Sequence, residues 1–229
     1  TELQNGLVDM YAKCGSLHDM YRMFNHMSMT DTTSWNTLIA GNLHAGDDFA
    51  ALSVFQVMEE KGIEKNEFTL SCALKACSRS ISTVEVGRIM HNQVICSGLQ
   101  SDLVTESSLV LMYAKCGKFW EAETVFDEIS SRNVVTWNAL ICGYAQHGLA
   151  EEALQLFQFM KDQDNISPDS ITFSCTLKAC GSVKSVQKGE EIHIEVKKRG
   201  LIARNIILGT SLVDMYAKCG MIEKSQEVF

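Results

Sequence analysis

Residues 112–117 read Met-Tyr-Ala-Lys-Cys-Gly, and the same six residues stand at 10–15 and again at 215–220. The copies lie 102 and 103 residues apart, a match too long and too regular for chance. Two further segments recur between them. Ser34-Trp35-Asn36-Thr37-Leu38-Ile39 returns as Thr136-Trp137-Asn138-Ala139-Leu140-Ile141, and Ser71-Cys72-Ala73-Leu74-Lys75-Ala76-Cys77 returns as Ser174-Cys175-Thr176-Leu177-Lys178-Ala179-Cys180. The long period divides into related units at 1–31, 32–66, 67–102, 103–133, 134–169, 170–205 and a truncated 206–229. Periods of this size indicate a stacked array of small units, not one closed domain.

Each unit reads as two helices. In the unit from Val134 the first helix is expected over Val135–Gln146, ending at Gly148, where a left-handed cap suits glycine. The second places Ala153, Leu156, Phe157 and Met160 at helical spacing, and Val125, Phe126, Ile129 and Val54, Phe55, Met58 repeat that stripe. Gly62, Gly98 and Gly200, each followed by Ile or Leu, mark the ends of second helices. Trp35, Trp137, Tyr113 and Tyr216 fall in first helices and are expected to pack between units. Strand signals are absent. The expected fold is all-α: an α-solenoid (superhelix) of about seven stacked antiparallel helix pairs. A lone pair cannot bury its apolar face, so stability comes from neighbours. The pattern opens in helix and Phe229 falls inside a second helix, so a fragment of a longer array is expected.

Composition narrows the class. Of 229 residues 46% are hydrophobic and 21% charged, too apolar and too balanced for disorder. The uncharged stretch 133–150 carries Asn, Gln, His and two Gly, a poor fit to hydrocarbon, so no membrane partner is expected. Nine cysteines cannot all pair, and several follow the repeat: Cys14, Cys116 and Cys219 are one position, while Cys72 with Cys77 recur as Cys175 with Cys180. Reduced thiols acting as small buried hydrophobes are expected. Net charge is −8, which taken alone argues against nucleic acid.

The Trp-Asn-Ala-Leu-Ile, Met-Tyr-Ala-Lys-Cys-Gly and Lys-Ala-Cys segments, in this rotation of lengths, resemble the pentatricopeptide repeat proteins of land plants. Within them the closest likeness is to the subclass that alternates standard, long and short repeats. The resemblance covers the whole chain, whereas tetratricopeptide arrays keep a uniform period. It implies binding of single-stranded RNA at one nucleotide per repeat, in agreement with helical repeats that each read one base. It implies service in organelle RNA editing or other processing, with an organelle transcript and editing accessory proteins as partners and no DNA, and a mitochondrial or plastid location.

The resemblance also assigns residues. Base recognition falls to Asn5 with Asp31, Asn36 with Asn66, Ser107 with Asn133, Asn138 with Asp169, and Thr210 alone; the long units offer Ser71 with Asp102 and Ser174 with Asn205, positions that follow the family code poorly. Base stacking falls to Thr33, Phe68, Val104, Val135, Ile171 and Ile207, a pattern from which Glu2 departs. Phosphate contact falls to Lys13, Arg79, Lys115 and Lys218, which also suit a helix C-terminus. The implied sequence is U, C or U, unread, A, U, unread, purine. First-helix segments are read as net +2, with acid concentrated on second helices such as Glu151-Glu152. The competing class is a helical scaffold holding a peptide on its concave face.

Catalytic signals are lacking. His193-Ile194-Glu195 matches half of a zinc deaminase motif, but the lone proline, Pro168, is followed by Asp169 and no Cys-x-x-Cys exists. His91 holds the equivalent place in the earlier long unit, so His193 is read as a repeat position. No enzyme, metal site or cofactor is expected in this segment.

Overall fold

The computed structural model describes residues 2–79, 81–97, 102–162 and 166–228. Among these residues there are fourteen α-helices and no strand. They run α1 (Glu2–Lys13), α2 (Leu17–Asn25), α3 (Thr32–His44), α4 (Asp48–Glu60), α5 (Glu67–Cys77), α6 (Val84–Ser97), α7 (Leu103–Lys115), α8 (Phe119–Glu128), α9 (Val134–Gln146), α10 (Ala150–Asp162), α11 (Ser170–Ser182), α12 (Val186–Lys198), α13 (Ile206–Lys218) and α14 (Ile222–Val228). The chain forms two compact units, Thr1–Cys116 and Gly117–Phe229. Their boundary falls between α7 and α8, inside the segment 103–133 that the sequence reads as one repeat.

Both units are built alike. In the first, α1, α3, α5 and α7 lie side by side in succession, and α2, α4 and α6 each pack on their own first helix and on the next one. In the second, α9, α11 and α13 form the succession, with α10 and α12 wedged in the same way. This is the solenoid logic of helix pairs that bury apolar faces only against neighbours. First helices are buried on two sides; α9 buries ten consecutive residues, Thr136–Ala145. The amphipathic α10 buries Ala150, Ala153, Leu154, Phe157 and Met160. Leu156, expected on that face, is half-buried, because the stripe turns through Leu154 at the 3.6-residue period.

Chain reversals rest on left-handed residues. Gly148, at φ 79°, lets the Leu149 N–H donate to Tyr144 O at 3.1 Å, closing the α9 end. Gly62 and Gly200 likewise have positive φ after α4 and α12, whereas Gly98 lies outside the described residues. At the α11–α12 turn the left-handed residue is Lys184, φ 53°, and the Ser185 N–H still reaches Cys180 O at 2.9 Å.

Aromatic side chains join successive pairs, as their positions suggest. Trp35 meets Phe24 edge-on with centroids 5.0 Å apart, and Trp137 meets Phe126 at 4.7 Å. Tyr113 and Tyr216 take the same role with histidines: His91 Nδ1 lies 3.0 Å from Tyr113 Oη, and His193 Nδ1 2.9 Å from Tyr216 Oη.

The cysteines depart from the reduced, buried expectation. Cys142 of α9 and Cys175 of α11 form a disulfide. The corresponding residues of the first period are Ala40 and Cys72, so that bridge has no counterpart there. Cys116 is buried against Cys77 O, whereas Cys14 is exposed. Burial holds the Cys77 and Cys180 thiols up at about 12, far from a reactive thiolate.

Candidate functional site

The residues between units have a local job that the sequence leaves open. Asp31, Asn66, Asp102, Asn133, Asp169 and Asn205 each sit at the N-cap of the next first helix, accepting its third-residue backbone N–H at 2.8–3.2 Å. At Asp31, Asn66, Asn133 and Asp169 the Ser or Thr at that third position accepts the cap residue's own N–H in return, completing a capping box. These bonds hold the Asp31 carboxyl below its usual range, the Ser34 N–H being the largest cause.

At Asp31, Asn66 and Asp169 the oxygen that caps the helix also accepts an amide N–H from the asparagine of the preceding unit. Asn36 Nδ2 donates to Asn66 Oδ1 at 3.1 Å, and Asn138 Nδ2 to Asp169 Oδ1 at 3.0 Å. Asn5 Nδ2 makes the same contact to Asp31 Oδ1, longer at 3.4 Å. The three asparagines are buried on the first helices, yet each retains a second amide N–H. Every bond described to Asp169 uses Oδ1, leaving Oδ2 as an acceptor. Asn138 with Asp169 therefore offers a donor beside an acceptor. Asn66 Oδ1 is committed to the Thr69 N–H, and its Nδ2 can only donate, so Asn36 with Asn66 offers two donors.

The long units depart from this arrangement. Ser71 Oγ lies 2.9 Å from Ser108 Oγ on α7, while the Asp102 carboxylate holds the Thr105 N–H and hydroxyl. Ser174 repeats this with Ser211 on α13 at 3.3 Å, while Asn205 caps α13. Ser107 donates to Leu103 O at 2.5 Å within the first unit, and Asn133 caps α9 within the second. Thr210 is exposed and donates to Ile207 O.

Beside these polar groups stand the residues assigned to stacking. Thr33 is exposed, and Phe68, Val104, Val135, Ile171 and Ile207 are 52–69% exposed at the second residue of their helices or, for Val104 and Ile207, the same place in α7 and α13. An exposed apolar residue repeated at one helical position is not explained by the core.

Three of the four assigned basic residues are engaged. Lys13 and Lys218 each pair with an aspartate one turn back, Asp9 and Asp214, at 2.7 Å, and Arg79 pairs with Asp48 and Leu43 O. Lys115 has Leu111 at the corresponding place. The helix bounds also correct the charge balance: α5 includes Glu67 and excludes Arg79, so first helices carry five lysines against five acids and are neutral, not +2. No group of three or more His, Cys, Asp or Glu is placed to hold a metal among the described residues. His193, bound to Tyr216, has its pKa lowered chiefly by burial and then by Lys197.

A family model described as the PPR repeat family matches residues 30–79 and 132–182, and the PPR repeat model matches 5–29, 107–134 and 210–229. The chain belongs to the pentatricopeptide repeat family. It is 35% identical over 223 residues to a chloroplastic pentatricopeptide repeat-containing protein of Arabidopsis thaliana, covering 97% of the chain and 36% of that relative. A mitochondrial one from the same plant is 36% identical over 228 residues, covering 99% of the chain and 33% of the relative. The repeat segment thus spans about a third of the relatives it matches. The crystal structure of the pentatricopeptide repeat protein PPR10 in complex with an 18-nt psaJ RNA element shares its fold, with a TM-score of 0.74 at 23% identity over 99% of this chain and 34% of that one.

Sequence reasoning passed over the third-position hydroxyls and the serines Ser108 and Ser211. The signal was there: Asp or Asn followed three residues later by Ser or Thr stands at 31–34, 66–69, 102–105, 133–136 and 169–172, a helix-start pattern.

Proposed function

We propose that this pentatricopeptide repeat segment is a sequence-selective single-stranded RNA-binding array of an organelle protein, mitochondrial or plastid. It follows the standard, long and short subclass, with units at 1–31, 32–66, 67–102, 103–133, 134–169, 170–205 and 206–229, each facing one nucleotide. It serves as the recognition module for editing or another processing step on an organelle transcript, and the chemistry comes from elsewhere. The observation that carries this reading is the pair of inter-unit amide contacts with unspent edges. Asn138 with Asp169 offers a donor and an acceptor, the complement of uracil O4 and N3–H; Asn36 with Asn66 offers two donors, which suit the N3 and O2 acceptors of cytosine. The exposed apolar residues at 68, 104, 135, 171 and 207 supply surfaces against which bases stack. The RNA-bound PPR10 structure, which shares this fold, supports RNA as the class of partner.

The test is fluorescence anisotropy with an RNA carrying U-Y-N-A-U-N-R, a scrambled RNA and the matching DNA. At about 1 kcal/mol of stacking per base over seven units, the designed RNA binds with a Kd near ~10 µM and more tightly than both controls. Asn138→Ser with Asp169→Asn moves the preference at one position from uracil to adenine. Equal binding to all three ligands would overturn the reading in favour of a peptide-holding scaffold.

A further inference from the structure

Resting on that reading, we infer that Thr69 and Thr172 are positioning residues for base selection, each acting through the asparagine of the preceding unit. Thr69 Oγ1 lies 2.6 Å from Asn36 Oδ1, and Thr172 Oγ1 lies 2.6 Å from Asn138 Oδ1. Both threonines are fully buried. Each hydroxyl has a single proton, and the competing acceptor is farther away and already served. Asn66 Oδ1 lies at 2.9 Å and takes the Thr69 N–H and Asn36 Nδ2; Asp169 Oδ1 lies at 3.0 Å and takes the Ile171 N–H, the Thr172 N–H and Asn138 Nδ2. The proton therefore goes to the asparagine carbonyl. With its oxygen held inward by the threonine and one N–H held by the cap residue, the amide cannot flip, and the single remaining N–H is what a base meets.

The first unit is an internal control. There the third-position residue is Ser34, whose hydroxyl turns to Asp31 Oδ1 at 2.8 Å and not to the asparagine. Asn5 Oδ1 is consequently buried without a partner, and its amide contact to Asp31 is the loosest of the three. The branched Cβ of a threonine leaves its hydroxyl fewer side-chain rotamers than a serine has. At this third position the copies differ by one methyl group, and the threonine copies are the ones whose hydroxyl reaches the asparagine. The two threonine-held pairs are the discriminating readers, and the Asn5–Asp31 pair is a permissive one.

The test compares Thr172→Val with Thr136→Val in the same chain. Both lose a capping-box hydroxyl, because Thr136 accepts the Asn133 N–H as Thr172 accepts that of Asp169, but Thr136 donates to Asn133 O. Binding is measured to RNAs differing only in U, C or A at the position facing 134–169, with thermal midpoints recorded for each variant. T172V is expected to reduce the uracil preference at least about fivefold, as one charge-neutral hydrogen bond's worth of discrimination, while T136V lowers the midpoint similarly and keeps the preference. Equal uracil preference in wild type and T172V would overturn the inference and leave the proposed function standing. No base preference in the wild type would overturn both. If T172V does not fold, the decision passes to Ser34→Thr, which adds a methyl and loses no bond: a sharpened base preference facing 1–31 supports the inference, and an unchanged one overturns it.

Discussion

At the scale of the residue, the same position does different work in different copies. Lys184 occupies a left-handed turn that glycine fills at Gly46 and Gly148. A side chain there costs free energy that glycine avoids, offset in part by glycine's greater freedom when unfolded. Lys184→Gly should therefore raise stability by about 0.5–1 kcal/mol, read by urea unfolding; an unchanged or lower midpoint would count against strain at that turn. His193 gives the pH counterpart. Its folded pKa is lowered, by burial first and then by Lys197, with Glu190 acting in the opposite direction and Lys224 again lowering it. Above pH about 6.5 both states are neutral and the group has no effect on stability. As pH falls below that value the unfolded chain takes the proton first, so stability drops until the folded pKa is passed. The wild type should lose more thermal stability between pH 7.5 and 5.5 than His193→Gln, and equal losses would show another group to be responsible.

At the scale of the element, helices approach closely where small residues permit it. A Cβ on Gly41 of α3 would stand 2.9 Å from Ala12 Cβ of α1 and 2.4 Å from Met20 Sδ of α2. The methionine can move, but Ala12 has no torsion with which to retreat. Gly41→Ala should destabilise the chain by about 1–3 kcal/mol despite alanine's better helix propensity, whereas Gly6→Ala, with nothing within 4 Å, should not. Chemical denaturation of the two variants separates packing from propensity. Part of this scale was read from the sequence: the Val125–Phe126–Ile129 face is buried as its spacing predicts, whereas the Asp or Asn with Ser or Thr three on that starts five first helices was legible but passed over. Leu156 was misread because 153, 154, 157, 160 and 153, 156, 157, 160 both satisfy helical spacing, and only the position of the neighbouring helices chooses between them.

At the scale of the whole molecule, charge decides how RNA would be held. The chain carries −8 in total while its first helices are neutral, with Lys13 and Lys218 in exposed pairs worth at most about 1 kcal/mol each. Phosphate can displace such partners, but few sites are available. If the four assigned basic residues neutralise four phosphates, the slope of log K against log salt should be no steeper than about −3. A slope near −6 would mean that other cations line the path.

What the sequence alone determined was whatever repeats. Three copies of one hexapeptide set the period, the period set the helix pairs, and local chemistry set their caps, because capping and periodicity act over three or four residues. What only the tertiary structure decided was where each polar atom spends its hydrogen bonds. Asn138 and Thr172 lie 34 positions apart and Asn36 and Thr69 lie 33 apart, and Asn5 and Ser34 show that the same places on successive first helices need not give the same bond. The pairing of Ser71 with Ser108, the Cys142–Cys175 bridge and the neutral balance of the first helices share this origin. Direction and proximity across neighbouring helices arise only when the helices stack, and a one-dimensional pattern does not contain them.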